Sequence, residues 1–464
     1  MNEIKGATLA SRLDALPLNR WHMGLMTVCC LGLLFDFYDT MIIGVVLPKL
    51  IATWKITPVQ AGLLASAGFG GMAIGAFLFG MLADAIGRWK VFQLTLLVYA
   101  LLTGLRALTT GFTSMFILRI AVGLGLGGLV PVDSAYLAEY VPSKYRGRFL
   151  GWFAAFSPIG NALAFIAGFL VVVPYGWRWG FVLGIIPAFF LIFTRRNLPE
   201  SVRYLVQKRR ITEAVKIVEK LEQRILKKTT VPYEEAVKRE KQLLSESGEA
   251  KVRIPDLFKG GLAKSTIMIC VLWFCVNYVL YGLIMWLPIL LMKELGYALG
   301  KGFMAMAAAQ LIGTIGQFTA GFNMDYLGRR ATITYSFICM GLTPYFLFWL
   351  GKGSMLGPIL LIVLSIFNGS SYGTIYAYTP ENFPTKVRGT GLGFAGFIGR
   401  GGGMLGPTIT GLIYAKIGLM SALNVNMAIL IIGVIVLLAL GRETKGKTLE
   451  QISAEQMGLK KALA

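Results

Sequence analysis

GMLADAIGRWK at residues 80–90 returns as GFNMDYLGRRA at 321–331, and this repetition decides how the rest of the chain is read. Asp84 precedes Asp325 by 241 residues. Working outward, AEYVPSKYRG (138–147) is echoed by TPENFPTKVRG (379–389), so that Glu139 and Glu381, like Arg146 and Arg388, stand 242 apart. A weaker echo pairs Glu200 in LPESVRY with Glu443 in GRETKG, 243 apart. Echoes at one spacing describe a unit copied once, each copy about half of the 464 residues.

Apolar runs of spanning length fill the space between the copied pieces. Hydrophobic residues make up 56% of the chain, and the mean hydropathy is +0.66. The runs fall at 23–47, 59–82, 91–110, 114–139, 149–173 and 178–195, then at 264–291, 302–324, 331–350, 356–380, 388–415 and 421–441. The expected fold is an all-α membrane protein with two six-helix bundles, 1–195 and 264–441. Between them lies a polar helical linker, 196–263, and a tail follows at 442–464. The linker is too small to house an enzyme of its own.

A formal charge of +22 raises the question of nucleic acid, but its placement answers otherwise. With the N-terminus inside the cell, inner segments hold 35 of the 45 Lys and Arg residues. That asymmetry is the positive-inside rule, so both termini are expected in the cytoplasm of a plasma-membrane protein, with no nucleic-acid partner. Cys29, Cys30, Cys270, Cys275 and Cys339 lie in apolar runs without metal or disulfide spacing. His22 is the only histidine, which leaves no histidine relay and no histidine-based catalysis. No G-x-x-x-x-G-K-[ST] loop is present to bind a nucleotide. The expectation is no metal, no cofactor and no enzyme.

These motifs resemble the major facilitator superfamily along the whole chain. GMLADAIGRWK is similar to that superfamily's loop between helices 2 and 3. LPESVRY, TPENFPTKVRG and GRETKGKTLE resemble its sugar-porter branch. FDFYDTMIIG (35–44), ILRIAVGLGLGG (117–128) and YAYTPENFPTKVRGTG (376–391) together resemble the proton-linked organic-acid and niacin transporters and the synaptic-vesicle-like relatives. The resemblance implies two six-helix halves rocking about a central site in the lipid bilayer, in a chain acting as a monomer. The pattern departs in places. Ala85 stands where Arg or Lys is usual. The sugar porters' glutamines on helices 5 and 7 are missing, leaving Asn161 and Asn277, and GSSYGTIYAYTP (369–380) replaces their Gly-Pro-x-Pro-Trp. Sugar transport is demoted on those grounds.

Charge inside a bilayer is costly, so each such residue needs a partner or a task. Asp39 lies about 12 Å below the outer end of helix 1, and Arg119 about 8 Å below that of helix 4, at 1.5 Å per residue. By resemblance these two form a proton switch; the alternative is a permanent ion pair fastening two helices. Asp36 is one turn from Asp39, and the sequence does not choose which of the two takes the proton. Arg106 is expected to reach the outer surface, and Asp133 lies toward the inner end of helix 4.

Arg400 stands about 18 Å deep in GFIGRGGGMLGP (396–407), where side-chain bulk is stripped away around a guanidinium fork suited to a carboxylate. Tyr372, Tyr376, Asn277, Tyr278, Tyr281, Trp273 and Asn161 are the candidates to line a cavity around it. By resemblance, Asp84, Gly87, Arg88, Glu139, Arg146 and Glu200, with Asp325, Gly328, Arg329, Glu381, Arg388 and Glu443, form a cytoplasmic gate whose acids and bases pair across the halves. The leading expectation is proton symport of a small organic anion, an aromatic or monocarboxylic acid such as nicotinate, energised by the proton gradient. A sugar or polyol porter or a uniporter is the alternative, and a non-transporting receptor the reading from another class.

Overall fold

The structure is a computed structural model and describes residues 8–186, 198–246, 254–384 and 387–446, without the side chains of Asp84, Arg88, residues 130–132, Ala135 and residues 243–246. All regular structure among them is helical. In the first half, α1 is Arg20–Trp54, α2 Pro58–Ile86 and α3 Arg88–Arg106. Helix α4 is Phe112–Gly127 continued by Leu129–Tyr140, α5 is Ser143–Tyr175, and α6 begins at Trp177–Leu183. In the second half, α7 is Leu262–Ile284 continued by Leu287–Lys293, α8 is Leu299–Leu327 and α9 Arg329–Leu350. Then come α10 at Leu356–Glu381, α11 at Arg388–Ile417 and α12 at Leu419–Leu440.

Eight of the described helices are long and apolar enough to cross a bilayer by themselves. The other four crossings have visible reasons for falling short. Helix α4 is split at Gly128, α6 is described only as far as residue 186, and α3 and α11 carry arginines that lower their hydropathy. Local signals set the turns: Thr57 and Gln60 form a capping box around Pro58, the first residue of α2.

Glycine governs how the helices pack. A Cβ on Gly71 would lie 2.1 Å from the Ile120 carbonyl oxygen, and one on Gly316 would lie 2.0 Å from that of Ile366, so α2 rests backbone-to-backbone on α4 as α8 does on α10. Gly160 against the Leu34 carbonyl (2.2 Å) and Gly402 against that of Phe274 (2.3 Å) repeat the device between α5 and α1 and between α11 and α7. The duplication read from polar loops extends into the interior of each half.

The two halves touch each other from the middle of the bundle toward the end remote from the linker. There the Ser66 and Thr408 hydroxyls bond at 2.7 Å, Asn161 Nδ2 donates to Gln310 Oε1 at 3.4 Å, and Phe69 lies 4.3 Å from Tyr281, centroid to centroid.

The linker forms a small core of its own against the first half. Ile211, Ala214, Val215, Val218 and Leu221 of the helix Ile211–Leu226 recur at helical spacing and are buried with Leu9 and Leu13 of the short helix Leu9–Asp14. Arg12 enters this core and donates to both oxygens of Glu222, at 3.0 and 2.8 Å, with both side chains 1% exposed. Burial pushes the Glu222 carboxyl up, but the bonds from Arg12 and from Thr230 outweigh it and hold it below the usual range. Its contribution to stability is therefore complete at neutral pH and fades as pH falls through that depressed value. Arg12→Ala, which leaves a buried carboxylate without its cation, is expected to cost about 3–5 kcal/mol and to make the linker sensitive to limited proteolysis.

Candidate functional site

A buried cluster on α1, α3 and α4 occupies the core of the first half. Asp39 and Arg106 are both 0% exposed, and Arg106 Nη2 pairs directly with Asp39 Oδ1. The same nitrogen donates to Thr103 Oγ1 at 2.9 Å, and the Arg106 guanidinium sits 4.7 Å over the Phe181 ring. Arg119 Nη1 reaches Asp39 Oδ2 at 3.5 Å and the Asp39 carbonyl at 3.3 Å. The expectation that Arg106 reaches the surface is corrected: it turns inward, and Asp39 answers two guanidinium groups rather than one.

A second cluster lies between the halves, midway along α1 and α11. Asp36 is buried, its Oδ1 has no hydrogen-bond partner, and it interacts electrostatically with Arg400 across the interface. Among the described residues, the Arg400 guanidinium takes part in no hydrogen bond or close ion pair. Tyr376 and Tyr281 also interact with this pair. The Trp273 ring meets Tyr376 edge-on at 4.8 Å, and its Nε1 donates to Thr379 Oγ1 at 2.9 Å. Tyr372 donates to Asn277 Oδ1, and Asn277 Nδ2 donates to the Trp273 carbonyl at 2.8 Å. Tyr376 is 50% exposed despite these neighbours.

One residue assigned to the cavity sits elsewhere. Tyr278 is 1% exposed, one turn from Tyr281 and inside the second half's core. Asn161 donates to Gln310 across the halves, one residue after Gly160, which packs on the Leu34 carbonyl of α1. Gln310 and Thr103 carry no sequence pattern that singles them out.

At the linker end, the bonds seen among the described residues assigned to the gate lie within each half. Glu200 Oε1 accepts from the Trp89 N–H at 2.9 Å, and Glu443 Oε1 accepts from the Arg329 N–H at 2.9 Å, so each caps the start of α3 or α9. Gly87 (φ 111°) and Gly328 (φ 90°) make the turns, in a backbone conformation and at a closeness to these carboxylates that a side chain would forbid. Burial raises the Glu443 carboxyl, but backbone N–H bonds from Arg329, Arg330, Lys445 and Thr444 hold it below the usual range. Glu139 accepts from Ser201 Oγ, and Glu381 from Thr444 Oγ1, each at 2.6 Å. Arg329 joins Glu381 at 2.9 Å and Asp325 at 3.7 Å, Arg146 meets Asp14 at 3.5 Å, and Arg388 donates to the Phe383 carbonyl. The side chains of Asp84 and Arg88 lie outside the described residues.

Comparison with known proteins places the chain. The family model "Major Facilitator Superfamily" matches residues 29–407. A niacin transporter, NiaP, of Acinetobacter baylyi is 34% identical over 450 residues, covering 96% of this chain and 99% of that protein. A benzoate transport protein of the same organism is 30% identical, covering 86% and 85%. The fold matches the inward-open conformation of the xylose transporter XylE from E. coli with a TM-score of 0.76 at 18% identity, covering 94% of this chain and 99% of that one. The chain belongs to the Major Facilitator Superfamily and is a multi-pass membrane transporter, with two bundles of six helices and no enzymatic activity.

Proposed function

We propose that this transporter carries a small aromatic or monocarboxylic acid, of the nicotinate or benzoate class, together with a proton. The observation that carries the reading is the opposition of Asp36 and Arg400 between the halves, with no hydrogen bond to either among the described residues. A proton on Asp36 leaves Arg400 without an anion and frees its fork for a substrate carboxylate. Proton and acid then bind together, since either alone leaves an uncompensated charge in a low-dielectric space. Trp273, Tyr372 and Tyr376 supply flat apolar walls for a ring. The names of the relatives at 34% and 30% identity support the same class. In this reading the linker end is cytoplasmic, the membrane is the plasma membrane, and the monomer suffices.

The test is uptake into proteoliposomes under an inward proton gradient, with nicotinate, benzoate and xylose as alternative substrates. The acids are expected to accumulate and the sugar not. Arg400→Ala removes one partner of a buried charge pair, a loss of about 2–5 kcal/mol, so KM for the acid is expected to rise on the order of 30-fold or more. An unchanged KM in that variant overturns the assignment.

A further inference from the structure

We infer that Arg106 is a positioning residue that withholds Asp39 from proton exchange and so confines coupling to Asp36. The inference rests on the proton-coupled reading above and adds to it which of two neighbouring carboxylates is silent, and why.

The geometry differs sharply between the two acids. Asp39 is enclosed on every side. Helix α3 presents Arg106, Thr103 and Tyr99, α4 presents Arg119, and α2 contributes only the Leu64 carbonyl, which takes the Arg119 Nε at 3.4 Å. From α1 itself come Tyr38, whose hydroxyl donates to the Gly180 carbonyl at 2.7 Å, and Asp36 one turn away. From α6 the neighbour is the Phe181 ring, stacked on Arg106. Two guanidinium groups thus converge on one carboxylate, and all three side chains are within 2% of complete burial.

Charge counting gives the consequence. The cluster holds two cations and one anion, and a proton on Asp39 would leave two buried cations facing each other with nothing between them. Among the described residues Asp36 has one facing cation, Arg400, with Asp39 of α1 and Asp133 of α4 as the acids that face it, and Tyr376 beside the pair is half exposed. With Arg119 as sole partner, Asp39 would be a one-to-one pair capable of exchange. Arg106 supplies the second cation that prevents it.

The decisive variants alter the cluster's charge in a controlled way. Arg106→Gln leaves one cation for Asp39; the proton-to-substrate ratio, read with an internal pH dye against labelled benzoate, is expected to rise about twofold as a second acid enters the cycle. The pH profile of KM gains a second step, and Arg106→Lys restores the wild-type profile. The double variant Asp39→Asn/Arg106→Gln keeps the cluster's net charge and is expected to keep the wild-type ratio and pH profile. Loss of proton coupling in the double variant overturns the inference, because it would make Asp39 the exchanging acid. So does an Arg106→Gln protein that transports more slowly with an unaltered pH profile, the result of a fastening role alone. Failure of the underlying reading looks different: wild-type protein would then accumulate acid with no proton uptake at all.

Discussion

Asp36→Asn is expected to abolish proton-driven accumulation of the acid while leaving exchange of labelled for unlabelled acid across the same membrane. Asparagine has the shape of a protonated aspartate and no charge to place opposite Arg400. In the wild type the pair is neutral when Asp36 is ionised and the substrate is absent. It is neutral again when a proton and a carboxylate are both present. The variant reaches only the second condition, so the loaded carrier forms and crosses in both directions. The empty carrier must cross with an unpaired buried guanidinium, at a cost of several kcal/mol. A fall in net accumulation of about 100-fold corresponds to less than 3 kcal/mol, so the loss should be complete in practice. The pH dependence of KM should flatten at the same time. An Asp36→Asn protein that still concentrates benzoate against a gradient rules out this residue as the proton carrier.

Gly316→Ala and Gly71→Ala are expected to be among the most damaging single-methyl additions at the described glycines. A Cβ at these sites falls 2.0 Å from the Ile366 carbonyl oxygen and 2.1 Å from that of Ile120, and both obstacles are backbone. Neither helix can yield by a rotamer change, so α8 must move off α10, or α2 off α4, along the whole contact. Overpacking on that scale costs about 3 kcal/mol or more, enough to remove much of the folded protein from a detergent extract. Thermal unfolding followed by size-exclusion chromatography reads the loss. Gly80→Ala is the control: a Cβ there meets nothing within 4 Å, and alanine favours the helix by about 1 kcal/mol. Equal melting temperatures for Gly316→Ala and Gly80→Ala would mean that the close contact carries no weight.

What the sequence disclosed follows from which properties are local. The doubled architecture was legible because the copied loops are polar islands between apolar runs, and because Glu200 and Glu443 repeat with the rest. The structure gives those two carboxylates one shared task, capping α3 and α9. Depth along a helix was legible too, at 1.5 Å per residue, and Arg400 and Asp36 both fall midway. Direction around the helix axis was not. Tyr278 and Tyr281 are three residues apart on α7, yet one is sealed in the second half and the other faces Arg400. Arg106 closes α3 where a long side chain ordinarily escapes to water, and only tertiary contact with Asp39 and Phe181 turns it inward. The residues at the linker end could be named but not paired, because pairing depends on how helices from distant parts of the chain come together.

The glycine contacts also fix where the molecule can bend. Within each half, helix backbones press directly on one another with no side chain between them, which makes those joints stiff against shear. Between the halves the contacts are of mixed kind: Gly62 of α2 lies directly against the Pro407 and Thr408 backbone of α11, beside contacts through rings, hydroxyls and amides. Side-chain contacts of that kind can be exchanged for others at little cost, so each half is expected to move as a stiff body and the joint between them to yield first where rings, hydroxyls and amides meet.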